Sequence, residues 1–109
     1  MVDFNMKGVL HCSRAVSPSM KEQGKIINIV IKGTKGSLDH TMTEAAGDII
    51  TRGLARELAP QIRVNAIAPG YIDTGWISEF PVHEQEAIKE QIPLKRGGIL
   101  RMWQNWPRF

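Results

Sequence analysis

The sequence is poor in the residue types on which small proteins most often build chemistry. Its one cysteine, Cys12, excludes a disulfide within the chain, and three scattered histidines give no zinc-ligand spacing, so no metal is expected. No run approaches the roughly 18 apolar residues of a membrane span. The opening MVDFNMKGVL lacks the basic-then-apolar order of a secretory signal, so a cytoplasmic location and no membrane partner are expected. Tyrosine occurs once, at Tyr71, and no G-x-G-x-x-G or P-loop pattern is present, so the turn that cradles a dinucleotide phosphate is not written in these 109 residues.

The net charge of +3 invites a nucleic-acid reading, but its distribution argues against one. Residues 1–94 hold ten Lys/Arg against eleven Asp/Glu, while Lys95, Arg96, Arg101 and Arg108 follow with no acid among them. The basicity belongs to the tail KRGGILRMWQNWPRF, where Trp103, Trp106 and Phe109 interleave with the arginines. Such a tail could stack on bases or lie on a membrane, yet the simpler reading is a short apolar end segment, and no nucleic-acid partner is expected.

What is present reads as alternating helix and strand. In NMKGVLHCSRAVSPSMKE, residues 5–22, Met6, Val9, Leu10, Ser13, Val16 and Met20 recur at helical spacing, with Pro18 as a kink or early stop and Gly24 as the terminator. Cys12 sits among apolar neighbours and is expected to be a small buried hydrophobe. IINIVI then reads as a strand buried on both faces. After the loop KGTKGSLD, Thr41-x-x-Glu44 fits a capping box that starts a helix of about 17 residues. Met42, Ala45, Ala46, Ile49, Ile50, Gly53, Leu54 and Leu58 form its apolar row, and Pro60 ends it. IRVNAIA, residues 62–68, is the second strand, so the centre spells a β-α-β unit with parallel strands. Asn28 and Asn65, polar positions within these strands, are expected to satisfy local groups. PGYIDTGW is a turn, and a short acidic helix is expected over 82–91. The fold class is α/β, part of a doubly wound parallel Rossmann-type sheet in the order helix, strand, helix, strand, short helix.

TRGLARELAPQIRVNAIAPGYIDTGW, residues 51–76, with GKIINIV before it and IPLKRGG after it, resembles the central and later part of a short-chain dehydrogenase/reductase. The resemblance covers about residues 4–98. It implies a partial domain over 1–98 that lacks the N-terminal cofactor-binding strands, followed by a divergent basic and aromatic tail over 99–109. It also implies hydride transfer with NAD or NADP between an alcohol and a carbonyl. The family's catalytic asparagine falls on Asn5, its tyrosine on His40 and its lysine on Glu44, so the Tyr-x-x-x-Lys pair is substituted. The family's serine falls on Ile31, with Ser37 nearby. The PGYIDT turn implies cofactor contacts at Pro69, Gly70, Ile72 and Thr74.

In this chemistry the phenol moves the substrate proton and the lysine lowers its pKa, so a His40–Glu44 pair changes both roles. A carboxylate at 44 repels a phosphate-bearing cofactor, and the plainer reading of HTMTE is a helix start with a capping box. Three expectations follow from the resemblance. The chain is inactive alone as an incomplete oxidoreductase. Alternatively, it is a non-catalytic partner of a full-length relative, forming homo- or hetero-oligomers through helices 5–22 and 41–58. A third reading makes it a divergent reductase with His40 as proton donor.

Overall fold

The computed structural model describes residues 2–20, 22–31 and 38–101, apart from the side chains of Asp39, His40, Glu44 and Trp76. It divides into two compact units, Met1–Pro69 and Gly70–Phe109.

The first unit opens with a π-helical segment, Val2–Gly8, that runs directly into helix α1, Val9–Val16. A 3₁₀ turn, Ser17–Ser19, follows with Pro18 in its first positions. Proline lacks the amide an α-helix would need here, so the helix ends at Val16, short of the expected residue 22. Gly24 does not terminate it but begins strand β1, Gly24–Ile29. The ring of contacts around Gly24 is close: a Cβ there would lie 3.0 Å from the Met20 Cβ.

β1 pairs in parallel with β2, Ile62–Ile67, in register from Gly24↔Ile62 to Ile29↔Ile67. The ladder continues beyond both ends, where the Gln23 amide donates to the Gln61 carbonyl and the Val30 amide to the Ile67 carbonyl, each at 2.9 Å. Helix α2, Leu38–Glu57, connects the two strands, so the parallel β-α-β unit expected from the apolar runs is present. Ile26, Leu54, Ile62 and Val64 form its buried core, with Leu10, Met20, Ile50, Ala55 and Leu58 packed against it.

Several local expectations are corrected. α2 starts at Leu38, so Thr41 lies one turn inside it and cannot be its cap. No glycine or proline separates Leu38 from Thr41, and nothing in the backbone stops the helix from extending that far. β1 is buried on one face only. Ile26, Asn28 and Val30 point inward, while Ile27, Ile29 and Ile31 remain 49%, 61% and 53% exposed. A β-branched apolar run reports the interior of a sheet, but the helices described here cover one side of it. Cys12 is exposed, because Ser13, the next residue round the helix, takes the inward position.

The expected apolar row of α2 also splits in two. Leu54 is buried and Ile50 and Leu58 pack on the core, whereas Met42, Ala45, Ile49 and Gly53 face outward. The inward stripe includes Thr43, Gly47 and Thr51, small or polar residues four apart, which let the helix approach the sheet closely. A Cβ on Gly47 would lie 2.8 Å from Val30 Cγ1, so only glycine permits this approach. Asn28 meets its expected structural role: its Nδ2 donates to Thr51 Oγ1 at 2.9 Å, and the Thr51 hydroxyl donates to the Gly47 carbonyl at 2.8 Å. Asn65 lies on the open face.

The second unit is a smaller parallel pair, β3, Ile72–Asp73, with β4, Gly98–Ile99. The PGYIDT turn thus contains a two-residue strand, and the Gly98 amide donates to the Tyr71 carbonyl at 2.7 Å. Gly75 adopts φ +85°, a left-handed value that favours glycine, and leads into a 3₁₀ turn, Trp76–Glu79. Helix α3 spans Val82–Gln91, the range expected from the sequence, and none of its residues is buried. Residues 102–109, with the aromatic part of the tail, lie outside the described residues.

Candidate functional site

Asn5 lies in the π-helical opening, where the wider helical turn is often associated with functional positions. Its Nδ2 donates to Thr43 Oγ1 of α2 at 3.3 Å, across 38 residues of sequence. At the far end of the same two helices, Arg14 Nη2 meets Glu57 Oε2 at 3.3 Å. Contacts that join start to start and end to end require the first helix and α2 to run in the same direction. Both side chains of the Arg14–Glu57 pair are largely exposed, so it contributes at most about 1 kcal/mol.

Beside Asn5 a cleft of about 170 Å³ opens between three elements: Phe4, Asn5 and Val9 on the first helix, Ile29 to Ile31 at the end of β1, and Thr43 and Gly47 on α2. Among its described residues the polar side-chain groups are one amide and one hydroxyl, bonded to each other. None of these residues titrates, so they can hold and orient a ligand group but cannot exchange a proton with it. The volume is also below the roughly 300–1,000 Å³ typical of small-molecule pockets.

His40 and Glu44 stand in the first two turns of α2, and their side chains lie outside the described residues. Ser37 falls in the undescribed stretch 32–37. Ile31, at the position where the resemblance puts a serine, is an exposed apolar side chain on the cleft. Pro69 closes the first unit, whereas Gly70, Ile72 and Thr74 belong to the second. Ile72 is half-buried in β3, Thr74 is exposed, and no atom of the described residues stands within 4 Å of a Cβ built on Gly70. The one tyrosine is also in the second unit, where its hydroxyl is buried and has no hydrogen-bond partner among the described residues.

Sequence reasoning missed Thr43 and Gly47. The available signal was the four-residue spacing of Thr43, Gly47 and Thr51, which is the inward stripe of α2, but apolar residues on the opposite side of the helix outweighed it.

A family model described as enoyl-(acyl carrier protein) reductase matches residues 1–102 of the chain. The chain belongs to the short-chain dehydrogenase/reductase family. This dehydrogenase/reductase chain is 38% identical over 105 residues to a 3-oxoacyl-(acyl-carrier-protein) reductase of Staphylococcus epidermidis, covering 90% of itself and 43% of that protein. It is 39% identical over 105 residues to the reductase of the same name from Pseudomonas aeruginosa, spanning 42% of it. Among solved structures, a short-chain dehydrogenase/reductase from Brucella melitensis, described as a glucose/ribitol dehydrogenase, superposes with a TM-score of 0.78 at 32% identity. That match covers 90% of this chain and 42% of the other. The FolM alternative dihydrofolate reductase 1 of Brucella canis, solved with NADP, gives a TM-score of 0.69 at 27% identity, over 93% of this chain and 44% of that one. This dehydrogenase/reductase chain therefore spans less than half the length of these relatives.

Its α/β architecture, with parallel strands and intervening helices, is that of NAD(P)-dependent oxidoreductases of the family. The described residues do not fit a whole dinucleotide. The glycine-rich turn is absent from the sequence, and the cleft beside Asn5 is small and has no charged group among its described lining residues. Among the described residues, no three His, Cys, Asp or Glu side chains gather as a metal site, and no helix is long and apolar enough to cross a membrane.

Proposed function

We propose that these 109 residues are a segment of an NAD(P)-dependent short-chain dehydrogenase/reductase fold that does not transfer hydride on its own. The observation that supports this reading most is the cleft beside Asn5. Among its described residues there is an amide, a hydroxyl and apolar carbon, with no group able to give or take a proton. The family's phenol and lysine positions carry histidine and glutamate, and the sole tyrosine lies in the other unit. Asn5 keeps the family's asparagine position, tied to Thr43 rather than serving a proton path. Pro69, Gly70, Ile72 and Thr74 keep the positions of the nicotinamide turn, and would contact NAD or NADP only when further strands supply the phosphate site. By likeness to the Staphylococcus and Pseudomonas reductases, the substrate class of a complete protein of this kind is a 3-oxoacyl thioester.

The test is oxidation of NADH and NADPH by the purified chain over 3-oxoacyl thioesters and small ketones. The reading predicts no turnover above the protein-free rate. Turnover that disappears in His40→Ala would overturn it in favour of a divergent reductase with His40 as proton donor.

A second reading is supported by the outer surface of the helices. Leu38, Met42 and Ile49 on α2, and Phe4 on the first helix, are all strongly exposed. Such a surface suits association with a full-length relative or a second copy through residues 5–22 and 41–58, in a non-catalytic role. Co-expression with a full-length member of the family should then recover both chains on one affinity tag. Recovery of the tagged chain alone, with both soluble, would exclude that partner.

A further inference from the structure

We infer that the stretch from Leu94 onward is an interfacial segment that binds a lipid surface of anionic headgroups. Within the second unit, Leu94, Ile99 and Leu100 are 73%, 49% and 60% exposed, against the simpler reading of an end segment that packs on its own protein. Arg96 and Arg101 stand among them and are exposed too, and neither has a carboxylate partner among the described residues. Glu90, the last acid in the sequence, is occupied: Lys95 Nζ meets its Oε2 at 2.8 Å and its carbonyl at 2.7 Å. The sequence then adds Trp103, Trp106, Arg108 and Phe109, all beyond the residues 1–102 that the family model matches. Leu100, Trp103 and Trp106 fall three residues apart, with Arg101, Gln104 and Asn105 between them.

This interleaving of apolar and cationic side chains decides among partners. A protein groove would take the leucines and isoleucine but strip water from the arginines. A single-stranded nucleic acid would take the arginines and stack on the aromatics, yet leave Leu94, Ile99 and Leu100 in water. A bilayer surface serves both sets, because aliphatic and indole groups sink to the acyl boundary while guanidinium groups stay among the phosphates. The expected absence of a membrane partner followed from the lack of a spanning run and of a secretory signal, and surface attachment requires neither. It requires no catalytic group either, so it goes beyond hydride transfer.

The test is fluorescence titration and co-sedimentation of the full 109-residue chain with phosphatidylcholine vesicles, with and without phosphatidylglycerol. The expected result is a saturable blue shift with the anionic vesicles, weakened by salt, and much weaker binding to the neutral ones. Each arginine next to an anionic leaflet is worth about fivefold in affinity, so Arg96→Gln with Arg101→Gln should weaken binding roughly twentyfold. Arg14→Gln, a charge loss in the first unit, should leave it unchanged. Trp103→Ala with Trp106→Ala should remove the blue shift, and Trp76→Phe should keep it. Absence of saturation, equal binding to both vesicles, or equal loss with Arg14→Gln would overturn the inference, as would a blue shift carried by Trp76. Preference for a single-stranded oligonucleotide in direct competition with the anionic vesicles would overturn it in favour of nucleic acid.

Discussion

Thr51 joins the sheet to α2 through the hydrogen bond it accepts from the Asn28 amide, and donates a second one within α2 to the Gly47 carbonyl. Replacing Thr51 with valine preserves the shape but leaves the buried Asn28 donor unpaired. Thr51→Val is expected to lower stability by about 1–3 kcal/mol in urea unfolding, and Thr51→Ser, which keeps the hydroxyl, by clearly less. Glycines give a second contrast at this scale. Gly47→Ala places a methyl 2.8 Å from Val30 Cγ1 and should destabilise by about 1–3 kcal/mol, despite alanine's better helix propensity. Gly53→Ala meets nothing within 4 Å and should stabilise by roughly 0.5–1 kcal/mol. The polar role of Asn28 was legible in the sequence, because an amide within an apolar strand needs a partner. Its identity was not, since Thr51 is 23 residues away and looks like any helical threonine. Thr43 escaped notice for the same reason, as the partner of Asn5 across the packed helices.

At the scale of elements, the two central strands, their parallel pairing and the connecting helix were legible because hydrophobic periodicity is strong there. α3 was equally clear between Pro81 and the turn after Gln91. Boundaries were less so. The capping motif at Thr41 is a local pattern without power to stop a helix from beginning earlier, at Leu38. Helix packing decided which apolar stripe of α2 turned inward, and the inward one was the smaller and more polar. The isoleucines of β1 make the same distinction testable. Ile26 is in the core and Ile29 on the open face, although both read as core in the sequence. Ile26→Thr is expected to lower stability by about 1–3 kcal/mol, while Ile29→Thr should change it by less than about 0.5 kcal/mol and raise solubility. Thermal unfolding and a solubility limit measured on both variants check this. Equal destabilisation by the two would mean that both faces of β1 are covered in solution.

At the scale of the whole molecule, the chain has the α/β architecture of its family over less than half the length of the relatives it matches. The fold class was legible because a β-α-β unit is specified locally, in strand, helix and strand of adjacent sequence. The site was legible only in part. The small cleft beside Asn5, uncharged among its described residues, arises from residues in three elements and could not be read from the sequence. A dinucleotide needs a phosphate cradle and a long groove together; the sequence lacks the glycine-rich turn, and the described cleft of the first unit measures about 170 Å³. The most direct test is titration of the purified 109-residue chain with NADPH and NADH, followed by isothermal calorimetry. The account predicts no saturable heat at cofactor concentrations up to about 1 mM, where even weak binding worth roughly 4 kcal/mol would be seen. Saturable one-to-one binding, lost on substitution of Ile72 or Thr74, would contradict it and show that this chain holds the cofactor without further strands.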